Sequence, residues 1–194
     1  MNLMNRFTRL MLPLVVAVIV ISGCSTMSTT EIDNKRKALD GMADGAITRI
    51  VEKDSSVQSA LDQGLAWGVA DIKLTKVPVV GAGGGEGVLF IKDSGERIYF
   101  TVSRLDIGGG WGARAYKALM IFADQAVLDD WKSGEWVFTA GAEASAGTAA
   151  AEGGTGGSGD DGFTMHLLAD GGASATATAR VIRIKINQEL TDAE

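Results

Sequence analysis

Val77-Pro78-Val79-Val80 runs directly into Gly81-Ala82-Gly83-Gly84-Gly85-Glu86-Gly87, and Val88-Leu89-Phe90-Ile91 follows. Short apolar runs that alternate with glycine clusters are typical of strands rather than helices. The glycine run does not match the G-x-G-x-x-G nucleotide-binding motif, because Glu86 replaces its last glycine. It also leads into a strand, whereas a phosphate-binding loop leads into a helix. We therefore interpret it as a glycine bend in the wall of a sheet, where backbones approach closely.

The same pattern of strands continues towards the C-terminus. Ile98, Phe100 and Val102 alternate with other residues in the manner of a half-buried strand, after a hairpin turn at residues 93–96. The glycines of residues 108–112 are expected to interrupt the sheet.

Apolar residues repeat at the spacing of a helix before the first strand, and again in one segment between later strands. Thr30 is expected to cap the first helix, which repeats apolar residues at helical spacing along one face. Those apolar residues are Ile32, Leu39, Ala43, Ala46 and Ile50. Ser55 or Ser56 is expected to cap a second, shorter helix, and Asp124 a third, which Gly134 is expected to close.

These signals predict the α+β class, mainly β: a compact, glycine-rich antiparallel barrel or sandwich with N-terminal helices and one short helix between strands. Residues 31–194 are expected to form a single domain. Residues 147–162 are nearly all glycine, alanine and small polar residues, so they are expected to be a flexible loop. Gly171-Gly172 is expected to turn the chain before the last strand.

The first residues have the organisation of a secretion signal. Arg6 and Arg9 precede an apolar run over residues 11–21, and small residues follow it. The run is about half as long as the roughly 20 residues of a membrane-spanning helix. We therefore expect residues 1–23 to be removed as a signal peptide; a membrane span or a buried core helix is the alternative interpretation.

Ile21-Ser22-Gly23-Cys24 resembles the lipobox of bacterial lipoproteins, and Cys24 is the chain's one cysteine. The resemblance implies cleavage before Cys24, a thioether-linked diacylglycerol on its sulfur and an acyl chain on its new amino group; no other cofactor is expected. Residues 24–30 would then be the lipidated N-terminus and a polar tether. In this class of protein Ser25, after the cysteine, favours the outer membrane, so the expected location is its periplasmic face.

The predicted mature chain is acidic. Removing residues 1–23, which hold two of the 18 basic residues and no acidic residue, leaves 171 residues with 16 bases, 24 acids and a net charge of −8. A nucleic-acid partner is not expected, because such proteins present a basic surface. Attraction to an anionic membrane would have to come from a local group of charges rather than from the whole domain.

The stretch from Gly64 to Gln188 resembles the SYLF domain family, whose bacterial members are often lipoproteins. The segments that carry the resemblance are Gly64–Ala70, Gly81–Leu89, Ile107–Gly112, Ala118–Gly134 and Trp136–Ala146. Asp71-Ile72 stands where the family usually has a proline, and the loop at 147–162 is long. The resemblance implies lipid binding without specifying the lipid. The alternative is an envelope scaffold that binds a protein partner and no lipid beyond its own anchor.

Basic residues of the first helix are the candidate lipid-binding residues, because basic side chains near a bilayer attract anionic headgroups. They are Lys35, Arg36, Lys37 and Arg49, and a solvated helix face is the alternative interpretation. Neither a catalytic site nor a metal site is predicted, because His166 is the one histidine and no Gly-x-Ser-x-Gly motif occurs. Of the four tryptophans, Trp111 stands between glycines and is the candidate for an exposed membrane-interface residue.

Replacing Cys24 with serine tests the predicted anchor. Cys24→Ser should abolish incorporation of labelled palmitate and leave an unprocessed precursor, since the chain has no other cysteine. Labelling that persists in Cys24→Ser would contradict the lipoprotein assignment.

Overall fold

The computed structural model describes residues 27–133, 137–140, 142–146, 149–153 and 162–192. It has the predicted α+β, mainly β class, with an antiparallel sheet curled into a half-barrel. The helices are α1 (Thr29–Lys53), α2 (Ser56–Gln63), α3 (Gln125–Lys132) and α4 (Gln188–Thr191). The strands are β1 (Ala66–Lys76), β2 (Val80–Ile91), β3 (Arg97–Phe122), β4 (Val137–Ala140), β5 (Ala142–Ala146), β6 (Ala149–Gly153) and β7 (Phe163–Ile186).

The sheet curls because one long strand, β3, pairs with different neighbours along its two halves. One edge of β3 pairs with β2 through residues 97–107 and with β1 through residues 112–122. β1 also pairs with β2, so β1, β2 and the two halves of β3 form a closed loop of strands. The other edge of β3 pairs with β7, which follows the same bend. β4 and β5 pair with β7, and β6 pairs with β5.

Glycines on the inner face of β2 permit this closure. A Cβ atom on Gly85 would lie 1.8 Å from the carbonyl oxygen of Asp71, and one on Gly87 would lie 2.3 Å from that of Val69. Cβ atoms do not approach backbone atoms so closely, so the contact between β1 and β2 requires glycine here. The predicted glycine bend is confirmed.

The glycines of residues 108–112 bend β3 without interrupting it. Gly108, Gly110 and Gly112 have φ angles of 136°, 141° and 140°, which side-chain-bearing residues rarely adopt. Pairing with β7 continues through them. The expectation that this segment interrupts the sheet is therefore wrong, because positive φ angles let one strand turn a corner while it keeps its partner.

Separate apolar cores fill the two faces of the sheet. Inside the curl, Phe100 and Phe122 pack against Trp131 of α3, with the Phe100 and Trp131 rings 4.9 Å apart in an edge-to-face arrangement. On the outer face, α1 packs against Tyr99 and Leu119. The five apolar residues predicted to share a face of α1 are the buried ones. The structure therefore confirms the predicted face of this helix.

The helix caps are partly as predicted. Asp124 caps α3 by accepting hydrogen bonds from two backbone N–H groups. α1, however, begins two residues earlier than expected: Ser28 is its cap, and Ser28 and Glu31 bond reciprocally as a capping box, so Thr30 lies inside the helix. Ser55 stands at the start of α2 without a side-chain capping bond. Gly134 lies outside the described residues.

Two expected breaks in the chain are strands instead. β7 runs unbroken through Gly171-Gly172, because β3 pairs with it on both sides of that position. Ala149–Gly153, within the expected loop, forms β6 and pairs with β5. Small residues suit flexible loops, but they also allow strands to pair where space is narrow. Residues 147–148 and 154–161 of the expected loop lie outside the described residues.

Substituting alanine for two different glycines distinguishes a glycine required by a close contact between strands from a glycine that is only flexible. Gly85→Ala should destabilise the fold by about 3 kcal/mol or more, because its Cβ would overlap the Asp71 carbonyl oxygen. Gly45→Ala on α1, where no atom lies within 4 Å, should stabilise it by about 0.5 to 1 kcal/mol. Urea unfolding measures both. Equal effects would show that β1 and β2 do not need glycine at their contact.

Candidate functional site

The end of the sheet remote from α3, which we call the distal end, is formed by the β1–β2 turn and the bend of β3. The backbone N–H of Gly108 donates to the carbonyl oxygen of Val79 at 2.9 Å, which joins the turn to the bend. In the register of β2 and β3, Val80 faces Ile107 and Ala82 faces Leu105. Residues far apart in sequence are thus neighbours at this end.

Large apolar side chains are exposed at the distal end, between 44% and 75% of their surface. This apolar rim consists of Val77, Val79, Val80, Leu105, Ile107 and Trp111. α1 covers the outer face of the sheet at Val88 and Tyr99, and the rim lies beyond that contact. Exposed apolar patches on a folded domain mark surfaces that bind a protein or a membrane.

Charged side chains are buried on the inner face behind the rim. This buried charge cluster consists of Lys76, Arg104, Asp106 and Arg114. Arg104 donates to both carboxylate oxygens of Asp106, at 2.8 and 2.9 Å, and to the hydroxyl of Tyr116. Burial alone would lower the pKa of Arg104, but its hydrogen bonds and the charge of Asp106 outweigh burial and raise the pKa. Arg104 is therefore held as a cation inside the sheet.

The other cations of the cluster are Arg114 and Lys76. The Arg114 guanidinium lies over the Tyr116 ring, 4.6 Å from its centroid. Lys76 is 3% exposed, and its Nζ has no hydrogen-bond partner among the described residues. Because a buried ammonium is costly without a partner, Lys76 is the most unusual group of the site.

A small cavity lies deeper inside the curl, next to Arg104 and Tyr116. Its volume is about 20 Å³, and most of its lining is apolar, including Ala70, Ile72 and Ala118. This volume holds about one water molecule. This cavity therefore has no room for an acyl chain.

The basic residues predicted on α1 do not converge on the distal end. Lys35 pairs with Glu86 at 2.6 Å, and Arg49 pairs with Asp170 at 3.4 Å. Lys37 is exposed and has no hydrogen bond or ion pair among the described residues. These acidic partners lie far away in sequence, so the pairing was not visible from α1 alone.

Arg36 holds the C-terminal helix in place. It donates to the carbonyl oxygens of Leu190 and Thr191, at 2.7 and 3.3 Å, and lies over the ring of Tyr99. Burial and the charge of Asp40 raise the pKa of Tyr99 to about 12, so the phenol stays protonated and donates to Asp40. Arg36 therefore has structural contacts that compete with any membrane contact.

The remaining predicted residues have varied positions. Trp111 is exposed in the rim, as expected for a candidate interface residue, and Trp131 is buried in the core. His166 is half-buried in β7, and burial lowers its pKa although Asp54 partly opposes this shift. Cys24 lies outside the described residues.

Within the described part of the chain, no helix is long and apolar enough to span a membrane, and no group of three potential metal ligands occurs.

No protein-family model and no curated protein matches the chain.

Alanine substitutions at two adjacent basic residues of α1 show which of them contributes to the stability of the fold. Arg36→Ala should lower the free energy of unfolding by about 1 to 2 kcal/mol, because carbonyls at the end of α4 lose a charged donor. Lys37→Ala should change it by less than about 0.5 kcal/mol. Urea unfolding monitored by circular dichroism measures both. Equal stability of the two variants would show that Arg36 does not hold α4.

Proposed function

We propose that this protein is a membrane-anchored lipoprotein of the bacterial envelope with a SYLF-type domain that binds phospholipid through its distal end. The apolar rim is the observation that carries the proposal. The lipobox-like sequence ending at Cys24 supplies the anchor, and the location that follows is the periplasmic face of the outer membrane.

The chemistry of the rim suits a bilayer interface. Trp111 is amphipathic and 75% exposed, and tryptophan favours the boundary between lipid headgroups and hydrocarbon. Fully burying a large apolar side chain contributes roughly 1.5 to 3 kcal/mol, so each half-exposed rim residue would contribute about 1 kcal/mol. Combined with a lipid anchor, this contact would fix the orientation of the domain on the membrane.

Charge argues for an apolar rather than an electrostatic contact. The expected mature chain has a net charge of −8, and Lys35 and Arg49 are already paired with acids. Binding through the rim should therefore depend little on salt, whereas binding through exposed basic residues would weaken as salt screens them.

A protein-interaction role is the second candidate, and a groove supports it. The groove has a volume of about 470 Å³ and lies between α1, α2 and the β1–β2 hairpin. Trp67 and Phe90 form its apolar floor, with Asp44, Asp62 and Lys92 at its edges. An envelope scaffold would use such a surface, or the rim itself, to hold a protein partner.

Polar substitutions in the rim test the proposed function. In a chain of residues 25–194, which lacks the anchor, Val79→Ser, Ile107→Ser and Trp111→Ser together should weaken partitioning into phosphatidylglycerol-containing liposomes about 100-fold, since roughly 1 kcal/mol is lost at each position. Sedimentation with the liposomes at low and moderate salt measures it, and circular dichroism verifies the fold.

Lys37→Glu is the control, because it reverses an exposed charge on α1 and leaves the rim residues unchanged. It should leave partitioning nearly unchanged. A larger loss in Lys37→Glu than in the rim variant would place the membrane contact on α1. Absence of liposome binding by the unsubstituted chain would favour the scaffold.

A further inference from the structure

The aromatic floor of the groove between α1, α2 and the β1–β2 hairpin already holds one cation. Trp67 and Phe90 pair across β1 and β2, and their ring centroids lie 5.3 Å apart. The guanidinium of Arg97, the neighbour of Phe90 on β3, lies 5.3 Å from the centroid of the Phe90 ring. Arg97 also pairs with Asp40 at 3.5 Å. An aromatic face and a carboxylate together thus hold a guanidinium beside the groove.

The groove itself offers the same combination to a cation from outside. Asp44 of α1 and Asp62 of α2 line it together with Trp67, and both carboxylates are exposed. Asp62 accepts a hydrogen bond from the neutral side chain of Gln58 at 2.9 Å, which leaves its charge in place. Neither carboxylate has an ion pair among the described residues. The two walls therefore carry negative charge beside an aromatic ring.

Lys92 is the one basic residue among the described residues that line the groove, and its ammonium is directed to α2. It donates to the backbone carbonyl oxygens of Leu61 and Asp62, at 3.2 and 2.6 Å. These carbonyls belong to the C-terminal end of α2, where the aligned peptide dipoles concentrate negative charge. Lys92 is therefore bound to the helix end, and the groove stays complementary to a further cation.

Size and position indicate what kind of cation could reach the groove. Its volume of about 470 Å³ is within the range of roughly 300 to 1,000 Å³ that is typical of ligand sites, so a side chain and its flanking backbone fit. Trp67 lies near the start of β1, whereas Lys76 at the end of β1 adjoins the apolar rim, about 30 Å away at about 3.3 Å per residue. With the rim at the membrane, the groove is directed away from the lipid; this orientation rests on the proposed function.

We propose that the groove binds a basic peptide segment of a protein partner, with an arginine side chain stacked on Trp67 and its guanidinium near Asp44 and Asp62. Arginine suits this site better than lysine, because its planar guanidinium stacks on aromatic rings and donates to several carboxylate oxygens at once. The apolar stem of the arginine would cover Ile47, which lines the same groove. This contact defines the partner chemistry of the protein-interaction role and adds to the membrane contact.

Fluorescence anisotropy of labelled peptides with the full chain in dodecyl maltoside tests the site. Three acetylated pentapeptides carry fluorescein at the C-terminus: Gly-Arg-Ser-Arg-Gly, Gly-Lys-Ser-Lys-Gly and Gly-Gln-Ser-Gln-Gly. The arginine peptide should bind about twofold to fivefold more tightly than the lysine peptide, because its guanidinium stacks on the floor. The glutamine peptide should bind at least about tenfold more weakly than the arginine peptide, because it has no charge.

Two double variants with the same change in net charge locate the binding. Asp44→Asn with Asp62→Asn should weaken binding of the arginine peptide about tenfold, through the loss of two partly exposed ion pairs. Asp33→Asn with Asp129→Asn is the matched control. Asp33 is exposed on α1, and Asp129 of α3 accepts a hydrogen bond from Gln125 just as Asp62 does from a glutamine of α2. The control should change the Kd by less than about twofold, because salt screens distant exposed charges.

Substitutions of Trp67 test the aromatic floor. In Trp67→Leu the arginine and lysine peptides should bind equally, because the ring that distinguishes them is gone. Trp67→Phe keeps an aromatic face and should keep the preference for arginine. Circular dichroism verifies that both variants fold.

Equal weakening by the two double variants would mean that the peptide follows net charge alone and would overturn the proposal. Tightest binding of the glutamine peptide, or no binding of the arginine peptide at about 1 mM, would overturn it as well. A preference for arginine that persists in Trp67→Leu would contradict stacking on this floor. Liposome sedimentation of the rim variant does not involve the groove, so a failed peptide site and a failed membrane contact are distinguishable.

Discussion

Gly85 of β2 lies so close to β1 that a Cβ atom there would stand 1.8 Å from the carbonyl oxygen of Asp71. This approach, repeated at Gly87, lets β1 and β2 fit inside the bend of β3 and close the loop of strands. If β1 and β2 lay farther apart, β1 would pair with β3 alone. The inner core would then open to water, because its residues come from both halves of β3.

The curl also gives the sheet two chemically different ends. At one end, Trp131 of α3 packs among Phe100 and Phe122 and fills the interior. At the distal end the interior holds the buried charge cluster, while the apolar side chains face outward in the rim. This inversion, with charge inside and apolar groups outside, is the opposite of ordinary globular packing. An amphiphilic partner, polar at one end and apolar at the other, matches such a surface.

Much of the fold was predictable from the sequence, because local patterns determine it. The helical repeat of α1 identified its buried residues, and the glycine run of β2 identified a close contact between strands. The bend at Gly108–Gly112 was not predictable, since glycine clusters look alike whether a strand ends or turns a corner. The site was harder still. Lys76 and Arg104 are recognisable as inward only when the strand register is known, and the partners of Lys35 and Arg49 lie far along the chain.

The central claim is that the distal end, and not α1, enters the membrane interface. Quenching of tryptophan fluorescence by bilayers containing brominated phosphatidylglycerol tests it most directly. The contribution of Trp111 is obtained as the difference between the unsubstituted protein and Trp111→Phe. We predict strong quenching of Trp111 by bromines near the headgroup boundary, together with a blue shift of its emission. Emission from Trp111 that keeps its wavelength and intensity in membrane-bound protein would contradict the account.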